Sequence, residues 1–249
     1  MSLLPPETPY PVLALAEDLT GQIFGTVNDY VASGAYGNVY RCELNRPSGP
    51  VKVAVKAFRF HTSEQDLRRF RRETAIWAHL IHDNIVTLYG TTEGFGPSPA
   101  LVSPWFPLGT LLHLVTEQGA RLNIMSKMKL LHDIASGLYY LHSFPIVHGD
   151  ISSSNVLIDI KEGEYKPCLT DFGLSNILGK VSRSDAQHSV RPGAIRWTAP
   201  ELLEQHQTDI KPTTQNDIYS FGRVMFHVII SSSTQPIFFL KKQLLMTRC

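Results

Sequence analysis

The sequence has no apolar run long enough to cross a bilayer: stretches such as Val228 to Ile230 and Ile237 to Leu240 fall far below the roughly 18 residues a spanning helix needs. Cysteine is scarce. Cys42, Cys168 and Cys249 are an odd number without CxxC or Cys/His metal spacing, which argues against a disulfide scaffold and reads as reduced intracellular thiols. Neither sign of charge dominates, because 23 basic and 22 acidic residues leave a net +1. That balance gives no electrostatic footprint for nucleic acid or an anionic membrane. The N-terminus, MSLLPPETPYP, has no basic lead, and Pro5 and Pro6 break its apolar run, so it makes a poor signal peptide. A soluble cytoplasmic or nuclear protein is expected, whose partners must be argued from a site.

What is present is enough to bury a core: 43% of the 249 residues are hydrophobic and 18% charged. Residues 1–20 are Pro-rich and aperiodic, a tail with a short edge strand expected near Gln22 to Phe24. From Tyr30 to Phe60 the pattern is strand, glycine turn, strand, loop, strand: DYVASGAYGNVYRCEL, the turn chemistry NRPSGP, then VKVAVKAF with alternating apolar residues. Ser63 to Ile81 changes to helical period, with Leu67, Phe70, Thr74, Trp77 and Ile81 on one stripe. Ile85–Tyr89 and Ala100–Trp105 read as two further strands. Ile124 to His142 reads as a long helix whose inward face carries Met128, Leu131, Ile134, Ala135, Leu138 and Leu141. A sheet-rich half followed by a helical half predicts an α+β, two-lobed design.

Gly34 and Gly37 in VASGAYGNVY sit in a tight strand turn, where missing side chains let backbone N–H groups approach phosphate oxygens. Taken alone, a glycine pair in a hairpin is more often only a turn. Lys56 ends the strand VAVK, and a lysine on a buried strand is costly unless an anion or carboxylate meets it. Glu73 on the following helix is the natural partner; the alternative is a lysine whose tip reaches water. Arg68 to Arg72 read as a solvated helix face more readily than as a docking patch.

Three further segments follow in order: HGDISSSNVLI (148–158), LTDFGLS (169–175) and WTAPE (197–201). Each has a plain reading, as a core histidine, a turn and a helix start. Together with the glycine turn, VAVK, Glu73 and the later DIYSFG, they resemble the signature set of the protein kinase family. The resemblance runs from about Leu19 to about Ser231. In GAIRWTAPE and DIYSFGRVMFHVI it is closest to the tyrosine-kinase-like branch.

The resemblance implies a kinase fold with a β-rich N-lobe (21–104) and a helical C-lobe (105–249). It also implies transfer of the ATP γ-phosphate to a protein hydroxyl, with Mg²⁺ as cofactor. Lys56, oriented by Glu73, would hold the α- and β-phosphates. Asn155 and Asp171 would hold Mg²⁺ through oxygen. Asp150 would accept the substrate hydroxyl's proton. Val31, Gly34 and Gly37 belong to the glycine-rich turn, Val39, Ala54 and Leu157 would sandwich adenine, and the backbone from Pro104 to Phe106, Trp105 included, would read its edge. Ser103 falls at the position that gates the pocket behind adenine. Trp77, Leu88, His148 and Phe172 fall on the family's apolar column, with Asp217 at its base. The implied partners are ATP and a protein substrate.

Several positions depart from the family. Ala32 stands where the first glycine of the turn is usual. Gly149 replaces an arginine that reads a phosphorylated activation loop, which makes control through Ser182, Ser184 or Ser189 less expected. Ser152 replaces a lysine, and Ser154 supplies no arginine, so no cation lies between Asp150 and Asn155; losing one such stabiliser typically costs about 10²–10³ in turnover. Ala194 stands where serine/threonine kinases carry threonine. After Gly222 only 27 residues remain, too few for the several further helices of the family at about 11–12 residues each. The tail crowds Phe238, Phe239, Leu240, Leu244 and Leu245 near its end, and Glu201 lacks an evident arginine partner, Arg248 being the only arginine after Arg223. The expectation is therefore a C-lobe truncated after about 231, missing the family's last helices. Two functional readings follow: a Ser/Thr-type kinase, and a nucleotide-binding pseudokinase or truncated scaffold.

Overall fold

The computed structural model describes residues 16–25, 30–33, 37–59, 64–172, 195–203 and 212–231, apart from the side chains at 65, 66, 69, 72 and 73. The tail up to residue 15, Gly34, the Glu73 side chain, Gly173, Ser182, Ser184, Ser189, Ala194 and everything from 232 onward, Arg248 included, lie outside the described residues. The chain divides into two compact units. The first takes the described residues up to Ile81 and Val86–Trp105, and the second takes His82–Ile85 and the described residues from Phe106 onward, 177–184 aside.

The first unit is a curled antiparallel sheet of β1 (Ile23–Phe24), β2 (Tyr30–Ser33), β3 (Gly37–Leu44), β4 (Val51–Phe58), β5 (Gly90–Thr92) and β6 (Ala100–Pro104), in the order β1-β3-β4-β6-β5, with β2 also paired to β3. Side chains alternate across a strand, so one face sends Tyr40, Cys42, Val53, Val55, Ala100 and Val102 into a core shared with Leu19 and Leu44. Helix α1 (Glu64–Ala78) brings Phe70 edge-on to Phe58 at 5.8 Å. Its expected stripe is seen in the buried Phe70, Thr74 and Trp77, but Ile81 is 85% exposed. The bonds His79 N to Ile76 O and Leu80 N to Trp77 O tighten the last turn and end the helix before Ile81 can join the stripe.

The strand expected over Ile85–Tyr89 forms instead at Gly90–Thr92. Residues 82–85 are drawn to the second unit, where Asn84 Nδ2 donates to the Pro167 carbonyl at 2.9 Å, Leu169 N donates to the Asn84 carbonyl at 2.8 Å and Ile85 bridges Leu169.

The second unit holds helices α2 (Leu111–Gln118) and α3 (Ile124–Ser143), the hairpin β7 (Val156–Lys161) and β8 (Glu164–Leu169), a 3-10 turn (Pro200–Leu202) and helix α4 (Thr214–Ile230). Thr110, Asn123 and Thr213 cap the three helices, each side chain accepting a first-turn backbone N–H; such caps contribute about 1 kcal/mol apiece. Helix α3 buries Leu130, Leu131, Ile134, Leu138 and Leu141. Met128, expected on that face, is 50% exposed, and Lys127 takes the buried place. Its Nζ donates to Ser231 Oγ at 3.2 Å, which sets a cation at the C-terminal end of α4 where the helix dipole favours one.

Candidate active site

Asp217, in the first turn of α4, organises the loop from His148 to Asn155. Its carboxylate is 1% exposed. It accepts from the backbone N–H groups of His148 and Gly149, both at 2.8 Å, and from His142 Nε2 at 2.9 Å. A buried carboxylate is costly without donors; here three donors and the positive end of α4 offset that cost. Turning two successive amides onto one carboxylate puts Gly149 at φ 76°, in the left-handed region where a side chain is strained.

The same loop holds Asp150. Its N–H donates to His148 Nδ1 at 3.3 Å, and its carbonyl accepts from Asn155 Nδ2 at 2.7 Å. Asn155 N donates to the Ser152 carbonyl at 3.0 Å, and Thr170 N donates to the Asn155 carbonyl at 3.1 Å. That last bond lays the end of β8, and with it Asp171, beside Asn155. Asp171 adopts φ 64°, a left-handed conformation that aspartate tolerates better than most non-glycine residues. Phe172 then meets the His148 ring edge-on at 6.1 Å. His148 is fully buried, and burial pushes its pKa below the ordinary 6.5 despite the attraction of Asp217 and Asp171. The ring is therefore neutral near pH 7, as its role as acceptor for Asp150 N–H requires. Asp150, Asn155 and Asp171 are thus brought together by one hydrogen-bonded loop.

In the first unit, strand register places Val39 opposite Lys56, Lys56 opposite Leu101, and Ala54 opposite Ser103. Because opposed residues share a face, Val39, Ala54, Lys56 and Ser103 line the face turned away from the Tyr40–Val55 core. Gly37 is required by packing, since a Cβ there would run into the Ala57 carbonyl. Val31 on β2 is 53% exposed. At the end of β6, Trp105 N donates to the Lys52 carbonyl at 3.2 Å, and the Arg41 guanidinium lies 5.5 Å from the Trp105 ring. Trp77 and Leu88 are buried. Leu157 belongs to the second unit, on β7 opposite Cys168 and bridged to Thr110.

Residues that the sequence reading passed over line α4. Asn216 Nδ2 donates to Glu201 Oε1, Ser220 Oγ donates to the Trp197 carbonyl at 2.8 Å, and Arg223 Nε donates to the Arg196 carbonyl at 2.8 Å. His227 Nδ1 lies 2.9 Å from Ser153 Oγ, and its ring meets Trp197 edge-on at 5.5 Å. Burial, then the Arg196 charge, lowers the His227 pKa. The signal available was polar residues at helical spacing, 216, 220, 223 and 227. A cleft lined by Asp150, Ile151, Trp197, Thr198, Leu202 and Asn216 joins this stripe to the loop.

A curled antiparallel sheet in one unit and helices with a hairpin in the other define an α+β fold. The chain belongs to the protein tyrosine and serine/threonine kinase family, whose pattern it matches over residues 26–248. It is 31% identical over 206 residues to serine/threonine-protein kinase CTR1 of Arabidopsis thaliana, covering 81% of this chain and 23% of that protein. It is 32% identical over 207 residues to the probable serine/threonine-protein kinase roco6 of Dictyostelium discoideum (80% of this chain, 9% of that protein). To serine/threonine-protein kinase TNNI3K of Homo sapiens it is 29% identical over 206 residues, 81% and 23%. The likeness supports the tyrosine-kinase-like placement, and the chain spans less than a quarter of the length of these relatives.

Proposed function

We propose that this chain transfers the γ-phosphate of ATP to a serine or threonine hydroxyl of a protein substrate. The observation that carries the reading is the hydrogen-bonded loop that sets Asp150, Asn155 and Asp171 side by side. Asp150 takes the proton of the substrate hydroxyl as its oxygen bonds to the γ-phosphorus; the bond from that phosphorus to the bridging oxygen breaks, and ADP leaves. Val31, Gly34, Gly37, Val39, Ala54, Ser103 and Trp105 of the first unit, and Leu157 of the second, are assigned to the nucleotide. Lys56 neutralises phosphate oxygens, with Glu73 orienting it.

The donor set of the second unit fits Mg²⁺. Asn155 spends its Nδ2 on the Asp150 carbonyl, which leaves Oδ1 as the atom to present beside the Asp171 carboxylate, and hard cations prefer such oxygens, with water and phosphate completing the shell. When bound, the ion supplies neutralisation of charge on the phosphate oxygens.

A second reading, a nucleotide-binding scaffold, is favoured by one observation: the residue at 152 is a buried serine, so the stretch between Asp150 and Asn155 carries no cation. Transfer of labelled γ-phosphate to a mixed peptide pool, with Asp150→Asn as control, decides between them. Label on serine or threonine that disappears in the variant supports the kinase; ATP binding without transfer supports the scaffold.

A further inference from the structure

Segment 195–203 has little structure of its own, only the turn bonds Leu202 N to Ala199 O and Leu203 N to Pro200 O. What holds it is the stripe on α4, and two members of the pairing are cationic. Arg223 Nε bonds to the backbone of Arg196 at 2.8 Å, which fixes one guanidinium against the other's main chain. Both side chains are exposed. Among the described residues neither has a carboxylate within ion-pair distance. Two carboxylates of these segments are engaged elsewhere: Glu201 accepts from Asn216, and Asp217 holds the loop amides.

A single exposed arginine is usually just a solvated charge. Here one arginine is anchored to the other's main chain, with its guanidinium 5.7 Å from the Phe226 ring, so two exposed cations belong to one bonded pair of segments, and an anionic group that meets either accepts charge-assisted N–H bonds. Trp197 ties this pair to the chemistry, since the same residue packs on His227, next to Arg196, and lines the cleft with Asp150 and Thr198. A peptide whose hydroxyl reaches Asp150 would pass Trp197, the chain neighbour of Arg196, whose carbonyl holds Arg223.

We propose that Arg196 and Arg223 form a basic shelf that selects substrates carrying an acidic side chain, a carboxylate or a phosphate, near the acceptor hydroxyl. This rests on the kinase reading and names its substrate class.

The test uses serine peptides of one length, flanked by Glu, phosphoserine, Gln or Lys, with the wild-type chain, Arg223→Gln and Arg223→Glu. Wild type is expected to favour the acidic peptides about three- to tenfold in kcat/KM, as one or two partly exposed ion pairs allow. The preference should vanish in Arg223→Gln and invert in Arg223→Glu, through the peptide's KM. Comparing Glu with phosphoserine identifies which anion the shelf takes. An unchanged ranking in both variants overturns the proposal. Should no peptide be phosphorylated, the kinase reading fails, and anisotropy of the same labelled peptides then decides the shelf: acidic-peptide binding lost in Arg223→Glu sustains it, and binding indifferent to charge removes it.

Discussion

Ser153 Oγ and His227 Nδ1 lie 2.9 Å apart, so a fully buried serine three residues after Asp150 is fastened to the last turns of α4. Because the His227 ring also meets Trp197, one side chain touches both the loop of Asp150 and the segment of Glu201. Removing it in His227→Ala should lower stability by about 1–2 kcal/mol, the cost of orphaning a buried hydroxyl. The same change should lower kcat several-fold. His227→Asn, which retains a hydrogen-bonding group near Nδ1, should recover most of both, and His227→Phe should recover stability better than kcat. Thermal melts and steady-state kinetics on the three variants measure this; equal kcat in all of them removes the positioning role.

Asp217 satisfies the backbone amides of His148 and Gly149 and the His142 ring at once. Asp217→Ala leaves those donors unpaired, and the expected loss is about 3–5 kcal/mol. Asp217→Asn keeps an acceptor and should lose less. A denaturant titration that shows the two variants equally stable would contradict the account.

Asn216 both closes the capping box with Thr213 and donates to Glu201. Asn216→Ala should cost about 1 kcal/mol for the cap and its contact. Asn216→Asp keeps the cap acceptor but sets a second carboxylate against Glu201. It should therefore lose activity that Glu201→Gln restores, which a double-mutant cycle on kcat/KM reads directly.

His148 and His227 both have pKa values held below the ordinary 6.5, chiefly by burial. The unfolded chain therefore takes up protons near pH 6.5 that the folded chain refuses. Their contribution to stability is fully present above about 6.5 and is lost as pH falls from there toward the folded-state values. The melting temperature should drop between about pH 7.5 and 5.5, and the drop should shrink in His227→Asn. A melting temperature flat across that window would show that the two rings protonate freely in the native state.

Ser103 shares its sheet face with Ala54 and Lys56. On the proposed nucleotide assignment, its small side chain admits bulky adenine-site inhibitors, and Ser103→Phe should weaken them by at least tenfold in an inhibitor titration, a steric effect worth about 1.4 kcal/mol or more. Equal inhibition of both forms would misplace that assignment.

Period and turn chemistry alone determined much of this protein. Alternation placed β4 at VKVAVKAF, because the strand has a buried and an open face, and the helical period found α1 and α3. The ordered motifs named the family and singled out Asp150, Asn155 and Asp171, since phosphoryl transfer needs carboxylate and amide oxygens whatever the surrounding chain. Tertiary structure decided what local pattern does not encode. The strand expected from Ile85 does not form there because Asn84 and Ile85 pair with β8, some eighty residues away in sequence. Lys127 replaced Met128 in the interior because the end of α4 offers Ser231 and a negative dipole. The role of Asn216, Ser220, Arg223 and His227 comes from segment 195–203 and Ser153 lying against them. Hydrogen-bond partners distant in sequence are chosen by packing, and one strand or helix read by itself carries no record of them.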